Sequence, residues 1–317
     1  MAWQTQPDPE RVRGWAALGG FALLCALTIG FLVLRSSRDV LDLKPAAELA
    51  LGRGLVARLE QFVPPIEAPA VRRLVEATGA TLVRSSERPD LEYRFRVFDV
   101  ADINAFALPG GFICINRGLI EAVADEQELA GVLAHEIVHV ERRHAVQALR
   151  RATFFESLFN QLGGQEGAAA AGGAQVFALG MLLSFSSGQE EEADRRGAEL
   201  MHLSGHDPRG LIRFFQRVAA LQRAGGSGLG EFFDPHGRPE ERIRWVHEEM
   251  ERLGTGPVVI PSFSELGAAQ SQLRALPPPP LFNAQAIALE FEEELKKHRD
   301  GSPSPSGPAG PTMTGPG

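Results

Sequence analysis

Apolar residues recur at helical spacing at Leu129, Val132, Leu133 and Val140, and they predict a helix that buries this stripe. Asp125 stands where its N-cap belongs, with Glu128 three residues on as the capping-box partner. Upstream, EYRFRVFDV at 92–100 alternates Tyr93, Phe95 and Val97 against Arg94 and Arg96, the pattern of a strand with one wet face. In NAFALPGGFICIN, from Asn104 to Asn116, two short strands at 105–108 and 112–116 flank the turn Pro109-Gly110-Gly111. The helix of Leu129 is expected to follow directly. Further helices are predicted over 45–62, ended by Pro64-Pro65, and over 70–77, ended by Gly79, with a strand at 81–83. Downstream, helices are expected over 151–162, 189–203, 211–221 and 239–253. The Ala/Gly-rich and apolar stretch 168–185 is read as a buried helix or mobile cover, because it is short and rich in small residues. The sum is a mainly α-helical domain with a small mixed β-sheet, an α+β arrangement over 45–255.

The ends of the chain have a different character. Residues 1–13 are short and polar. Residues 14–34 carry no charge and lie between Arg13 and Arg35, which predicts a transmembrane helix, single-pass, with Trp15 at its edge. Cys25 is preceded by Leu24, which does not suit a lipoprotein cleavage site, so an uncleaved anchor is expected. Arg11 and Arg13 on one side balance Arg35, Arg38 and Lys44 on the other, so charge does not fix its orientation. Residues 256–299 form a C-terminal extension, with a linker at 277–280 and a helix at 284–298. Residues 300–317 are a Pro/Gly/Ser-rich tail of disordered composition. The net charge of −8 and the lack of a basic stripe give no reason to expect a nucleic-acid partner.

The candidate chemistry lies in the helix of Leu129. His135 and His139 are four residues apart, so their imidazoles project side by side, as two ligands of one zinc ion must. Glu136 is rotated by about 100° from His135 and suits a general base better than a ligand. A solvated polar face is the alternative, but LAGVLA before the motif and Ile137-Val138 within it are apolar. Polar groups in such a setting usually have a partner. A catalytic zinc needs one more protein ligand and an open place for water. The metzincin spacing puts that ligand at Ala145, so this class is excluded; His144 is one residue off and is expected to point elsewhere. Glu156 and Glu166 are available, but Glu190 in QEEEAD is the better candidate. Glu190, Ala193, Asp194 and Gly197 share one helical face, and the small pair allows close approach to the motif helix. Asp194, one turn on, is then in position to accept a hydrogen bond from the far nitrogen of a ligand histidine.

HEIVHVERRHA, EEEAD at 190–194 and NAFALPGG upstream together resemble the membrane-associated zinc metallopeptidases of the HtpX, CAAX-prenyl endopeptidase and beta-barrel assembly-enhancing protease type. Three separated motifs occur in the family's order, over roughly residues 45–253. The resemblance implies His135, His139 and Glu190 as ligands of one zinc per chain, with Glu136 as base. It implies that Asn104, Ala105, Phe106, Ala107, Leu108, Gly110 and Gly111 line the substrate cleft. His236 matches a further family histidine, six residues before Arg242, and is expected to serve the oxyanion or to occupy the open metal position. Arg242 is expected to brace that loop. The chain departs from the family at Gly237, where proline is usual, and at Ser187, where arginine is frequent. The implied activity is a metalloendopeptidase of the inner membrane, its catalytic domain on the periplasmic side, acting on extended or misfolded polypeptides. Two other readings remain. Glu136/His139, Glu141/His144 and Glu199/His202 fit the ligand pattern of a di-iron helical bundle. The proline-rich tail and C-terminal helix suit a non-catalytic anchored chaperone or scaffold.

Overall fold

The computed structural model describes residues 44–149, 185–223, 238–254 and 265–279. Along them run α1 (Pro45–Phe62), α2 (Pro69–Val83), β1 (Arg94–Phe98), β2 (Ala105–Leu108), a 3-10 turn (Pro109–Gly111), β3 (Phe112–Asn116), α3 (Arg117–Ala122), α4 (Glu126–Glu141), α5 (Ser187–Leu203), α6 (Arg209–Arg223), α7 (Pro239–Leu253) and α8 (Leu266–Arg274). The architecture is mainly helical with one small mixed sheet of order β1-β3-β2. The expected anchor at 14–34, the helices at 151–162 and 284–298, most of 168–185, His236 and the tail lie outside the described residues. Among the described residues no helix is long and apolar enough to cross a membrane.

Helix α4 is the centre. It packs on α2, α5 and α6, and against β2 and β3. Every residue from Gln127 to Glu141 is therefore buried, rather than one stripe of the helix. Periodicity understated this because Ala130, Gly131 and Ala134 fill the other faces, and small residues carry little hydrophobic signal. The Asp125 side chain caps the helix by accepting from Glu128 N at 2.9 Å, and Glu128 Oε2 accepts from Ala124 N at 2.9 Å.

In the sheet, β3 is central and wholly buried. It pairs parallel with β1 (Arg94 with Phe112, Phe98 with Asn116) and antiparallel with β2 (Ala105 with Ile115, Leu108 with Phe112). Strand β1 is shorter than 92–100, and its Arg94 is only 14% exposed because the guanidinium lies over the Phe112 ring, 5.3 Å from its centroid. The expected wet face is thus partly covered.

Three other expectations are corrected. No strand forms at 81–83; α2 continues through Gly79 to Val83. Val71, Leu74, Val75, Thr78 and Leu82 keep one buried helical face throughout, so Gly79 does not act as a stop. Gly79 is needed for contact: a Cβ there would lie 2.2 Å from the Phe95 ring. The motif helix does not follow β3 directly, since α3 intervenes, held by Arg117 donating to Pro277 O and Leu273 O at 2.7 Å each. Finally, α8 was not expected. It packs on α2 and α3 through Leu266, Ala269 and Leu273, so part of the proposed extension lies on the core.

Gly79→Val should cost about 1–3 kcal/mol by overpacking against Phe95. A thermal melt should fall, and Phe95→Leu in the same chain should restore part of the loss; an unchanged melt for the single variant contradicts the packing described.

Candidate metal centre

Two helices bring the site together. On α4, His135 and His139 are 2% and 0% exposed and their Nε2 atoms lie 2.9 Å apart. Helix α5 enters through a capping box: Ser186 accepts from Gln189 N, and the Gln189 side chain accepts from Ser186 N. That cap sets Glu190 in the first turn. Its carboxylate oxygens each lie 3.5 Å from a histidine, Oε2 from His135 Nε2 and Oε1 from His139 Nε2. One ligand atom from each of the three residues falls within 4.8 Å of the others, and no other such cluster occurs among the described residues. Donors at 2.0–2.1 Å from a tetrahedral ion are separated by about 3.3 Å, a spacing these distances bracket. Two imidazoles and one carboxylate are also a donor set of catalytic zinc sites. The residues present fit such an ion.

Gly197 permits the approach of α5. A Cβ on it would lie 3.3 Å from His135 N and 3.5 Å from its Cα. One turn from Glu190, Asp194 is fully buried, and its Oδ1 accepts from His135 Nδ1 at 2.9 Å. This leaves His135 Nε2 for the cluster. Arg242 on α7 is also fully buried and grips Asp194 with two donors, Nε to Oδ2 at 2.8 Å and Nη2 to Oδ1 at 2.7 Å. Its guanidinium stacks on the Phe215 ring at 4.1 Å. Arg242 therefore holds Asp194, and the loop carrying His236, which it was expected to brace, lies outside the described residues.

Glu136 is buried on the same helix, and its carboxylate feels the charges of His135, Glu190 and Arg242. Its Oε2 is buried and has no hydrogen-bond partner among the described residues. Burial pushes its pKa up to about 8, although His135 and a hydrogen bond from the Ala107 backbone act the other way. For His135, burial and Arg242 push downward, but the hydrogen bonds to Asp194 and Glu190 outweigh them and lift it to about 9.

The expected substrate strand is β2, next to α4 and at one edge of the sheet. Ala105, Ala107 and Leu108 are buried; Asn104 and Phe106 are half-buried. Gly110 and Gly111 have φ of 75° and 89° and face α1 and Glu92 rather than a cleft. Of the carboxylates a di-iron bundle would need, Glu141 accepts from Glu87 N at 2.7 Å and Glu199 pairs with Arg196 at 2.9 Å. They are not directed at a shared centre.

His144 lies outside the cluster of His135, His139 and Glu190, but it packs directly behind His139, a contact that the spacing did not indicate. Its Nδ1 lies 2.9 Å from His139 Nδ1. Helix α4 ends at Glu141, and Arg143 takes a left-handed φ of 56°, which turns the chain back. Helical spacing says nothing beyond such a break. Phe185 stacks on His139 with centroids 4.0 Å apart, and Glu192 Oε2 lies 3.4 Å from His144 Nε2. Burial, opposed by Glu192, holds the His144 pKa down at about 4.

Residues 69–250 match Peptidase family M48. The chain is 27% identical over 271 residues to the beta-barrel assembly-enhancing protease of Escherichia coli (strain K12), covering 79% of this chain and 55% of that protein. It is 29% identical over 220 residues to the protein of the same name from Yersinia pestis, covering 66% and 45%. Metalloprotease LoiP of Escherichia coli (strain K12) is 28% identical over 202 residues, covering 61% of this chain and 75% of that protein. The chain spans about half the length of the beta-barrel assembly-enhancing proteases it matches.

Gly197→Leu should push α5 off α4, cost about 1–3 kcal/mol and strip metal from the purified protein. Full metal content by elemental analysis would show that the close approach is not required.

Proposed function

The chain belongs to peptidase family M48 and is a metalloprotease, and from that premise we propose that it is a zinc endopeptidase cleaving extended or misfolded segments of envelope proteins. The observation that carries this reading is the convergence of His135, His139 and Glu190 beside the partnerless Oε2 of Glu136. His135, His139 and Glu190 are the residues that would hold the ion. Zinc, when bound, supplies a Lewis acid for the scissile carbonyl and lowers the pKa of a water from roughly 15.7 to about 7.

The rest of the work falls to the chain. Glu136 Oε2 takes the proton of the attacking water and passes it to the leaving nitrogen. The burial that raises its pKa also makes its carboxylate a stronger base. Asp194 keeps the His135 proton on Nδ1, and Arg242 holds the Asp194 carboxylate in place with two hydrogen bonds. The outer edge of β2, from Asn104 to Leu108, binds substrate as an added strand by main-chain hydrogen bonds, with Gly110 and Gly111 shaping the turn that ends it. Such binding selects unfolded segments and reads little sequence. His236 donates to the carbonyl oxygen as charge develops there. The alternative for His236 is a latch on the open ligand position.

Residues 14–34 anchor the protein in the inner membrane, with the catalytic domain on the periplasmic side. Support for the envelope setting comes from the relatives named for beta-barrel assembly.

The full-length protein should degrade a casein-type substrate, and a chelator should abolish this. Glu136→Gln should keep full zinc and lose activity by about 10²–10⁴-fold; normal turnover by the zinc-loaded variant would sink the mechanism. Glu190→Ala should lose zinc as well, and wild-type zinc affinity in that variant would remove Glu190 from the ligand set.

His236→Ala should lower kcat by about 10²–10³-fold with zinc content unchanged. Faster turnover would instead identify the latch, and unchanged turnover a surface histidine.

A further inference from the structure

We propose that His144, backed by Glu192, is a positioning residue that holds His139 in its ligand tautomer through an Nδ1-to-Nδ1 hydrogen bond. The proposal rests on the reading that His135, His139 and Glu190 hold the metal.

The argument is one of proton placement. His139 Nε2 faces His135 Nε2 at 2.9 Å and Glu190 Oε1 at 3.5 Å, so this nitrogen is the one offered to an ion. A neutral imidazole that ligates through Nε2 carries its proton on Nδ1. That Nδ1 lies 2.9 Å from His144 Nδ1, a separation at which only one of the two atoms can hold a proton. His144 must therefore accept there and carry its own proton on Nε2. Its Nε2 lies 3.4 Å from Glu192 Oε2, a carboxylate that favours a proton on that side. Glu192 is in turn held by Arg142 Nε at 2.8 Å. The result is a carboxylate–imidazole–imidazole chain running from the half-exposed Glu192 to Nδ1 of His139.

The geometry is built rather than incidental. His144 reaches back to His139 only because Arg143 adopts its left-handed turn. Phe185, stacked at 20° to the His139 ring, fixes the plane in which Nδ1 must find its acceptor. The two ligand imidazoles are thus supported differently. His135 donates directly to a buried carboxylate, whereas His139 donates to a neutral ring whose polarity Glu192 supplies. Second partners of this kind raise ligand basicity and remove rotational freedom.

The test measures metal affinity in the full chain by competition with a chromophoric chelator, together with the visible spectrum of the cobalt(II) form. Glu190→Ala is the reference: if it binds metal like wild type, the ligand assignment fails and the His144 question does not arise. With that reference lost as expected, His144→Leu should weaken binding by about 10–100-fold and shift the cobalt bands. His144→Asn, whose Oδ1 can accept where Nδ1 did, should recover most of the affinity and the wild-type spectrum. Wild-type affinity in His144→Leu overturns the proposal, as does an Asn variant as weak as Leu, which would indicate packing alone. Should His144→Leu fail to fold, Glu192→Ala removes only a half-exposed carboxylate. It should weaken binding by about 3–10-fold with altered cobalt bands, and an unchanged spectrum and affinity would overturn the chain from Glu192.

Discussion

The complete burial of α4 governs the molecule. A helix packed by three others and a sheet cannot leave polar side chains to water, and α4 carries His135, Glu136 and His139 along its inner length. A buried polar group without a partner costs about 1–3 kcal/mol, and a buried charge considerably more. Each of the three therefore needs a specific neighbour, and the rest of the fold supplies it. Helix α5 brings Glu190 and Asp194, α7 brings Arg242, and the turn after α4 brings His144. Glu136 keeps one buried oxygen without a hydrogen-bond partner among the described residues, which suits the general-base role proposed for it.

The pair of Asp194 and Arg242 shows how the cost is met. Both side chains are fully buried, so their mutual attraction has to offset two desolvation penalties. Two hydrogen bonds in fork geometry and the Phe215 ring under the guanidinium make that possible. Such a pair is poor evidence of added stability, and removing one partner of a buried pair costs about 3–5 kcal/mol. Its value here is placement. Asp194 cannot swing away from His135 without stranding Arg242, and α7 cannot leave α5 without stranding Asp194.

Much of this was legible because it is local. The HEIVH spacing, the Asp125 cap, the hairpin around Pro109 and the face shared by Glu190, Asp194 and Gly197 all follow from periods of 3.6 and 2.0 residues. The misreadings arise where contact at a distance decides. Gly79 looked like a stop because the Phe95 ring that requires it lies on another element. Helix α8 has few large apolar residues, and its three anchors, Leu266, Ala269 and Leu273, have meaning only against α2 and α3. The contact of His144 with His139 is not readable from spacing, because the backbone changes hand at Arg143 between them. Nothing in the identity of Arg142-Arg143 announces a left-handed residue.

The most distant connection involves α1, which precedes the residues matched to the family. Its Glu48 is 2% exposed, and its carboxylate meets three groups. Oε1 accepts from Gly110 N at 3.2 Å in the turn that ends β2. Oε2 pairs with Arg143 at 3.0 Å in the turn that presents His144, and Arg88 approaches at 3.4 Å while also donating to Val140 O at 3.0 Å. One buried carboxylate thus joins the end of the edge strand to the end of the ligand helix. A shift of the β2 turn cannot leave Arg143 indifferent, because both compete for the same charge in a low-dielectric setting where the attraction is strong. The strand on one side of the site and His144 behind His139 on the other are held in one frame. A segment outside the family's matched span is therefore part of the architecture that keeps the centre in register.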